Sequence, residues 1–323
     1  MQVSVVICTW NRARLLDQTL TQMNGLAVPA DVDWELLVVN NNCTDDTDEI
    51  LARHHDCLPL RQLYEPVTGK SNALNAAVRA VRGDLILWTD DDVLVDPDWL
   101  KAYVAAARAW PEVAFFGGTI TPQFETPAPA WMTAAWRPRI GNVYGECEFA
   151  EQKFEIHTQF LPCGANWAVR TEVQRRYRFD SRLGRLAKQR RGGEESALIR
   201  QLLADGHGGR FITAARVRHF IPGENLNLEY IRSHYFGLGQ TVAALEAHPA
   251  LVRTAKIYRF ARVWCWLNAV CAAAGYRLTR RFAKPQRWIG YATHSSFYWG
   301  VLSPPSPEYD ANVASEKLCS RSP

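Results

Sequence analysis

Leu85-Ile86-Leu87-Trp88-Thr89-Asp90-Asp91-Asp92 joins a run of apolar residues to three adjacent carboxylates. The apolar run predicts a buried strand. Carboxylates about 4 Å apart repel by roughly 1 kcal/mol even in water, so a fold tolerates the cluster mainly where a cation or hydrogen-bond donors offset the charge. Strand alternation sends Asp90 and Asp92 to one side and Asp91 to the other, so Asp90 and Asp92 can share an Mg²⁺ or Mn²⁺ that also holds substrate phosphates. The stretch therefore predicts a metal and diphosphate site.

The alternative interpretation is a solvated turn whose aspartates cap the next helix. Asp96 fits that role better, because it precedes Pro97 and an N-cap followed by proline at the first helical position is a common helix start. Since perturbed carboxylate clusters usually mark function, we favour the metal site.

Strand and helix patterns alternate on both sides of this stretch as far as residue 120. Strands are predicted at residues 3–9, 34–39 and 60–64, and helices at residues 12–23, from 45 onward and at 70–81. Helical crossovers imply an α/β fold with a doubly wound, mainly parallel sheet, whose ligands lie beyond the carboxyl ends of the strands. The loops that converge there are residues 9–12, 40–45, 67–71 and 90–92.

The pattern after residue 113 is looser and predicts a mixed extension of the sheet, with short strands near residues 143–149 and 154–160 and a helix at 194–204. We expect a domain at residues 1–222, with a nucleotide-binding half at about 1–120 and an acceptor half at about 121–222. A basic and aromatic helical region should follow at residues 223–302. The Ser/Pro-rich end, residues 303–323, is predicted to be disordered.

Composition and chain start indicate a cytoplasmic protein. The 323 residues are 47% hydrophobic and 22% charged, which is ordinary globular material. The first ten residues lack the basic region and long apolar segment of a signal peptide. Eight cysteines occur without a C-x-x-C pair, so neither a disulfide framework nor a structural zinc site is indicated.

Residues 247–307 contain nine Lys or Arg, eleven aromatic residues and no Asp or Glu. Their charge-free apolar stretches are too short for the roughly 20 residues that span a bilayer. Basic and aromatic residues on short apolar helices suit a surface that lies on anionic lipid. The alternative is a helical subdomain packed on the core, and the absence of a recognised motif argues against nucleic acid.

Two familiar phosphate motifs are absent. Gly69-Lys70-Ser71 resembles the end of a P-loop, but Tyr64 stands where its first glycine is required, and no G-x-G-x-x-G follows the first strand. Lys70 can still meet a phosphate at a helix N-terminus, or it can be an exposed helix lysine.

Seven segments in order resemble the family 2 glycosyltransferases of GT-A fold, over roughly residues 3–222. They are residues 3–12 (VSVVICTWNR), 38–47 (VVNNNCTDDT), 69–75 (GKSNALN), 88–92 (WTDDD), 163–170 (CGANWAVR), 179–180 (FD) and 192–202 (GGEESALIRQL).

The resemblance implies a nucleoside-diphosphate-sugar donor, most commonly a UDP-sugar, and a divalent Mn²⁺ or Mg²⁺. The residues it places at the donor are Thr9, Asn11, Arg12, Asn40, Lys70, Asp90 and Asp91. Asn40 departs from the aspartate that usually reads the base, and an amide both donates and accepts where a carboxylate only accepts. The metal ligands it implies are Asp92, Asp90 and His219; a lone histidine is otherwise more often structural.

Glu195 matches the presumed catalytic base, with Glu in place of the family's Asp. Without the resemblance, Glu194 and Glu195 read as first-turn glutamates that complement a helix dipole. The family would shape its acceptor pocket with Gly164, Asn166, Trp167 and Glu194, near the loop that carries Trp131 and Trp136.

The sequence therefore predicts a metal-dependent inverting glycosyltransferase, peripheral on the cytoplasmic face of the membrane, which acts on a hydroxyl of a glycan or lipid-linked acceptor in cell-surface polysaccharide synthesis. A sugar-nucleotide-forming nucleotidyltransferase is one alternative, although residues 9–14 contain no glycine. A non-catalytic nucleotide- or glycan-binding protein of the same fold is the other. These three functions can occur on the same fold, so the site residues, and not the fold, favour the glycosyltransferase.

Overall fold

Eight strands form one mixed sheet, in a computed structural model that describes residues 1–136, 140–148, 155–185, 191–245 and 262–303. The strands are β1 (Gln2–Thr9), β2 (Asp33–Asn40), β3 (Leu60–Tyr64), β4 (Leu85–Asp90), β5 (Val93–Val95), β6 (Phe115–Phe124), β7 (Asn166–Arg170) and β8 (Gly209–Ile221). Their order across the sheet is β3-β2-β1-β4-β7-β6-β8-β5. The β3-β2-β1-β4 half is parallel, and β7 continues it in the antiparallel sense.

Ten α-helices lie within the described residues. They are α1 (Ala13–Met23), α2 (Thr47–His54), α3 (Lys70–Ala80), α4 (Trp99–Ala109), α5 (Ala130–Ala134), α6 (Thr171–Gln174), α7 (Glu194–Ala204), α8 (Leu228–Leu245), α9 (Arg262–Thr279) and α10 (Pro285–Leu302). None of these helices combines the length and the hydropathy needed to cross a bilayer.

The parallel half has the buried strands that the sequence predicts. Leu85, Ile86 and Leu87 of β4 are completely buried, as are Val5 and Val6 of the neighbouring β1. Helices connect the parallel strands, so both faces of the sheet are covered and a continuous apolar strand is favourable.

Two local expectations were wrong. Helix α4 begins at Trp99 after Asp98, and the Trp99 amide bonds the Asp96 carbonyl at 2.9 Å, so the Asp96 side chain is not the N-cap. Pro97 lies in a turn at residues 97–98 and is therefore not the first residue of the helix.

The predicted strands near residues 143–149 and 154–160 were also wrong where they can be checked. Gly141–Tyr144 is a 3-10 turn, and single bridges at Cys147, Glu155, His157 and Phe160 take the place of ladders. Parts of both segments lie outside the described residues, as do residues 246–261 and the tail from residue 304.

The chain forms two compact units. The first comprises Met1–Gln123, Gly145–Phe179 and Glu195–Ile221 and contains the sheet; the second comprises Phe124–Tyr144, Asp180–Glu194 and Pro222–Pro323 and contains α8, α9 and α10. The sequence predicted a domain at residues 1–222 and a helical region from residue 223; it did not predict that residues 124–144 and 180–194 belong to the second unit.

Candidate active site

The carboxyl ends of three parallel strands bring the predicted donor residues side by side. In the strand register, Thr9 of β1 pairs with Asn40 of β2, and Cys8 of β1 pairs with Asp90 of β4. This register depends on the buried apolar residues of the three strands, because a one-residue slip would turn each side chain to the opposite face. The polar positions that follow the strands therefore meet at one edge of the sheet.

Arg12 binds two of the three aspartates at this edge. Its Nη1 lies 2.5 Å from Asp91 Oδ1, and its Nη2 lies 2.5 Å from Asp92 Oδ2. Thr9 Oγ1 donates to the second oxygen of Asp91 at 2.8 Å. The expectation that Asp91 would point to the opposite side from Asp92 was wrong. Strand β4 ends at Asp90, and beyond it the side chains of Asp91 and Asp92 both turn toward the Arg12 guanidinium group.

Burial sets the charge balance of this cluster. Asp91 and Asp92 are 3% and 7% exposed. Burial raises the pKa of Asp91 to about 6, with Arg12 opposing and the neighbouring aspartates adding to the rise. Burial also disfavours the charged form of Arg12, but the Asp91 and Asp92 carboxylates raise its pKa well above the ordinary value. Arg12 therefore offsets the charge of two of the three adjacent aspartates, Asp91 and Asp92.

Lys70 joins the aspartates to helix α7. It is the first residue of α3, and its Nζ lies 3.0 Å from Asp90 Oδ1 and 2.9 Å from Glu195 Oε1. The three side chains are between 10% and 26% exposed. Residues 70, 90 and 195, which are far apart in the sequence, thus form one ion-paired group at the sheet edge.

The Glu195 carboxyl group lies against the backbone of Gly164. A Cβ atom added at residue 164 would overlap Oε1 and Cδ of Glu195, so any side chain there would displace the carboxyl group. Gly164 follows Cys163 in the turn before β7. The sequence segment CGANW therefore needs glycine at this position because of a contact made 31 residues further along the chain.

His219 approaches the aspartates from the antiparallel half of the sheet. Strand β8 pairs His219 with Val93, the residue after Asp92, and His219 Nε2 lies 3.3 Å from Asp92 Oδ2. A Cβ atom added at Gly145, whose φ is +75°, would stand 3.0 Å from His219 Nδ1. The imidazole is thus held between the Gly145 backbone and the Asp92 carboxylate.

These donors fit a metal that is shared with a diphosphate. Among the described residues, no three His, Cys, Asp or Glu side chains form a cage for an ion. Mg²⁺ and similar ions at phosphate sites generally use one or two carboxylates and take their other ligands from phosphate and water. Asp92 and His219 provide an oxygen and a nitrogen donor in contact, and Mn²⁺ accepts both.

Two asparagines shape the loops beside this cluster. Asn11 has a φ of +52°, a conformation that asparagine tolerates better than most residues, and its Oδ1 accepts the Thr44 amide at 2.7 Å. Asn40 is 2% exposed, accepts the Cys43 amide at 2.8 Å and donates to Asp48 at 2.7 Å. The side-chain groups of Asn40 are therefore engaged in holding the loop that follows β2.

Three of the four residues assigned to the acceptor pocket are buried. Asn166 has no exposed surface and accepts from Trp99 Nε1 and the Tyr103 hydroxyl while it donates to the carbonyls of Thr119 and Ala215. Trp167 is also fully buried and stacks on Trp88, and Glu194 is only 2% exposed. The acceptor assignment of Asn166 and Trp167 is thus corrected to a structural one, because their side chains fill the core. Gly164 adjoins the ion-paired group.

Two aromatic residues that the sequence motifs do not mark lie at the same edge. Trp10 follows β1 directly and is 37% exposed; Tyr64 ends β3, is 56% exposed and donates from its hydroxyl to Asn42 at 2.8 Å. The only signal in the sequence was an aromatic residue at the end of each strand pattern.

The amino-terminal part of the chain matches a known family. Residues 4–177 match the family model described as Glycosyl transferase family 2. The succinoglycan biosynthesis protein ExoM of Rhizobium meliloti is 25% identical over 255 residues, which cover 77% of this chain and 77% of that protein. The validoxylamine A glucosyltransferase of Streptomyces hygroscopicus subsp. jinggangensis is 32% identical over 114 residues, which cover 35% of this chain and 26% of that protein.

Solved structures share the fold. The mannosyltransferase PcManGT of Pyrobaculum calidifontis, in complex with GDP-Man and Mn²⁺, superimposes with a TM-score of 0.58 at 20% identity, over 99% of this chain and 88% of that chain. Residues 1–349 of S. aureus TarS in complex with UDP-GlcNAc give 0.52 at 13% identity, over 94% and 90%.

Proposed function

The chain belongs to glycosyltransferase family 2 and is a glycosyltransferase of GT-A fold, and from this premise we propose a metal-dependent, inverting transfer of a sugar from a nucleoside diphosphate to a hydroxyl group. The observation that carries the proposal is the group formed by Asp90, Lys70 and Glu195. It brings a carboxylate of the three-aspartate cluster and a carboxylate on α7 to the same ammonium group. Donor chemistry and acceptor chemistry can therefore meet at one place.

The donor we propose is a UDP-sugar, and the residues we propose to bind it are Thr9, Asn11, Arg12, Asn40, Lys70, Asp90 and Asp91. The solved proteins of this fold hold GDP-Man or UDP-GlcNAc. Arg12 and Lys70 place two cations beside the aspartates, where an incoming diphosphate would compete for the Lys70 ammonium group. We propose uridine as the base because of the family resemblance. Asn40 replaces the aspartate that usually reads the base, so a donor screen must compare different nucleotides.

The metal ligands we propose are Asp92, Asp90 and His219, for Mn²⁺ or Mg²⁺. PcManGT was solved in complex with GDP-Man and Mn²⁺. When bound, the ion supplies positive charge that stabilises the diphosphate as it departs. Arg12 shares the Asp92 carboxylate with His219, so it holds that carboxylate in place and limits its net charge.

Glu195 is the base we propose. Its carboxylate deprotonates the acceptor hydroxyl as the oxygen attacks the anomeric carbon from the face opposite the leaving diphosphate, which inverts the configuration. Lys70 orients Glu195 through its 2.9 Å ion pair, and the Gly164 backbone forms the wall beside the carboxylate.

The acceptor we propose is a glycan or lipid-linked sugar in cell-surface polysaccharide synthesis, at the cytoplasmic face of the membrane. The name of ExoM, succinoglycan biosynthesis protein, supports the polysaccharide. The acid-free sequence of residues 247–307 supports the membrane surface.

Asp92→Asn tests the metal assignment. The substitution removes a ligand charge, so we expect donor binding to lose its Mn²⁺ dependence while the fold is retained. Isothermal calorimetry with UDP-sugars and GDP-sugars, with and without Mn²⁺, measures this. Asp98→Asn, at an exposed aspartate six residues away, is the matched control. Undiminished Mn²⁺ dependence in Asp92→Asn would show that the metal assignment is wrong.

Glu195→Gln tests the base. Donor affinity should persist, since glutamine can still accept from Lys70, while turnover at saturating acceptor should fall by roughly 10²- to 10⁴-fold, the usual contribution of a positioned base. Glu172→Gln, at an exposed glutamate of α6, is the control and should be unchanged. Near-normal turnover in Glu195→Gln would assign the role to another acid.

A further inference from the structure

Helix α9 has two apolar faces, and only one of them is packed. The packed face carries small, buried residues: Cys265, Ala269 and Ala272, between 0% and 4% exposed. Beside it, the Trp264 ring packs edge-on against Tyr298 of α10. The other face also carries apolar side chains, and these are 38–49% exposed: Trp266, Leu267 and Val270. An ordinary surface helix would place polar residues there. We call these three residues the outer face of α9.

Basic side chains follow the outer face directly. Five of them, all exposed, lie between the last turn of α9 and the first turn of α10: Arg277, Arg280, Arg281, Lys284 and Arg287. Two large apolar side chains stand among them, Leu278 at 74% and Phe282 at 90% exposed. We call these seven residues the basic end.

No acidic side chain in this part of the sequence offsets the positive charge. Residues 262–303 contain six Arg or Lys and no Asp or Glu. Solvated basic surfaces usually carry interspersed acids, which limit self-repulsion. The outer face of α9 is apolar and the basic end beside it is positively charged. Together they match a partner that has an apolar layer beneath an anionic one.

We propose that the outer face of α9 and the basic end bind the surface of an anionic lipid bilayer. Trp266, Leu267 and Val270 enter the boundary between headgroups and acyl chains, and the arginines and Lys284 contact the headgroup phosphates. Phe282 and Leu278 enter the same layer from the turn. The helix lies in the plane of the membrane and does not cross it.

Other occupants fit the same residues less well. A second copy of the chain would bring a second set of positive charges to the contact and no acidic group from residues 262–303 to neutralise them. A nucleic acid would neutralise the charge but would leave Leu267, Val270 and Leu278 without an apolar partner.

This inference rests on the proposed function for its biological setting, but lipid binding can be measured without donor or acceptor. The probe is a vesicle of 30% phosphatidylglycerol in phosphatidylcholine, co-sedimented with the full-length protein. We expect binding to these vesicles, none to pure phosphatidylcholine, and release as salt increases from about 0.05 to 0.5 M.

Two variants separate charge from insertion. Replacing Arg277, Arg280, Arg281 and Lys284 by Ser should weaken vesicle binding at least tenfold. Replacing Trp266 and Leu267 by Ser should also weaken it, while the remaining binding keeps its salt dependence. The matched control replaces Arg53, Arg79, Lys101 and Arg108, all exposed in the first unit, by Ser, which removes the same charge. Circular dichroism verifies the fold of each variant.

The proposal is overturned if the wild-type protein ignores anionic vesicles, or if the control loses as much binding as the basic-end variant. It is also overturned if sedimentation velocity without lipid shows a dimer that the Trp266 and Leu267 variant abolishes, because the outer face is then a contact between two copies. A protein that transfers sugar and ignores vesicles refutes only this proposal. One that binds vesicles and transfers no sugar refutes only the proposed function.

Discussion

At the scale of single residues, the site is a set of charges that position one another. Arg12 is shared by Asp91 and Asp92, Lys70 is shared by Asp90 and Glu195, and Gly164 leaves the space that the Glu195 carboxyl group occupies. Each charge has an opposite neighbour, so the cluster is stable without substrate and its geometry is fixed in advance. Such preorganisation lowers the cost of reaching the transition state.

Gly164→Ala is expected to reduce kcat by about 10- to 100-fold with little change in donor affinity. The added Cβ overlaps the Glu195 carboxyl group and displaces it, and a displacement near 1 Å can cost about 10²-fold in rate. Gly208→Ala is the control, because a Cβ at that glycine meets nothing within 4 Å. Steady-state kinetics with donor and acceptor varied separately measure the effect; an unchanged kcat would place the reacting hydroxyl away from Glu195.

The identity of the charged residues could be predicted from the sequence, but their pairing could not. The motifs pointed to Asp90, Asp92, Lys70 and Glu195. The ion pair between Arg12 and Asp91 joins residues 79 positions apart, and no local pattern specifies it. The acceptor assignment of Asn166 failed because a polar residue in a motif can equally be a buried hydrogen-bonding centre, as its four partners make it.

At the scale of elements, one buried carboxylate ties together the ends of the strands opposite the site. Glu35 of β2 accepts from Ser4 of β1 at 2.6 Å, from the Arg82 amide before β4 at 2.8 Å, and from Arg61 of β3 at 2.8 Å. Burial would raise the pKa of Glu35, but these hydrogen bonds and the Arg61 charge outweigh it and lower the pKa. The ionised carboxylate therefore stabilises the parallel half of the sheet.

Glu35→Gln should lower the free energy of unfolding by about 1.5–3 kcal/mol at pH 7, the usual contribution of hydrogen bonds to a charged group. Because the folded-state pKa lies below the unfolded one, the stabilisation is present above about pH 4.5 and is lost as the pH falls through the folded value. Urea unfolding at pH 7 and pH 3 should show the difference between variant and wild type shrinking at low pH. A difference that does not depend on pH would mean that the charge of Glu35 contributes nothing; Glu49→Gln, at an exposed site, is the control.

Element types were more predictable than element ends. The buried runs of β1, β2 and β4 and the helix α3 followed from periodicity. The start of α4 did not, since Asp-Pro is compatible with both a cap and a turn. The 3-10 turn at Gly141–Tyr144 arose where apolar residues without a clear period had suggested a strand.

At the scale of the whole molecule, the two units are stabilised by different kinds of packing. The first has a large apolar core around its sheet. In the second, α8 and α10 approach so closely that a Cβ on Gly239 would overlap the Phe297 carbonyl, and one on Gly300 would overlap the Phe236 carbonyl. Nothing in the sequence indicated that residues 124–144 belong with the later helices, because that association depends on contacts far apart in the chain.

Gly300→Ala should destabilise the second unit by about 1–3 kcal/mol, since the methyl group has no space between the two helix backbones. Hydrogen exchange measured by mass spectrometry should accelerate in α8 and α10 and stay unchanged in β1, β2 and β4. Gly192→Ala is the control within the same unit, because its Cβ meets nothing within 4 Å. Equal rates of hydrogen exchange in the variant and the wild type would contradict this prediction, because α8 and α10 would then accommodate the methyl group without loss of stability.

The strand register also has a consequence for synthesis on the ribosome. The edge of the sheet that carries the aspartates uses side chains from residue 9 to residue 219, so most of the 323 residues must be translated before it is complete. At roughly 5–20 residues per second, His219, whose imidazole contacts Asp92, is synthesised on the order of ten seconds or more after the first strand. A nascent chain that pauses within this interval carries the aspartates and the apolar strands without β8. It is then a substrate for chaperones before it can be an enzyme.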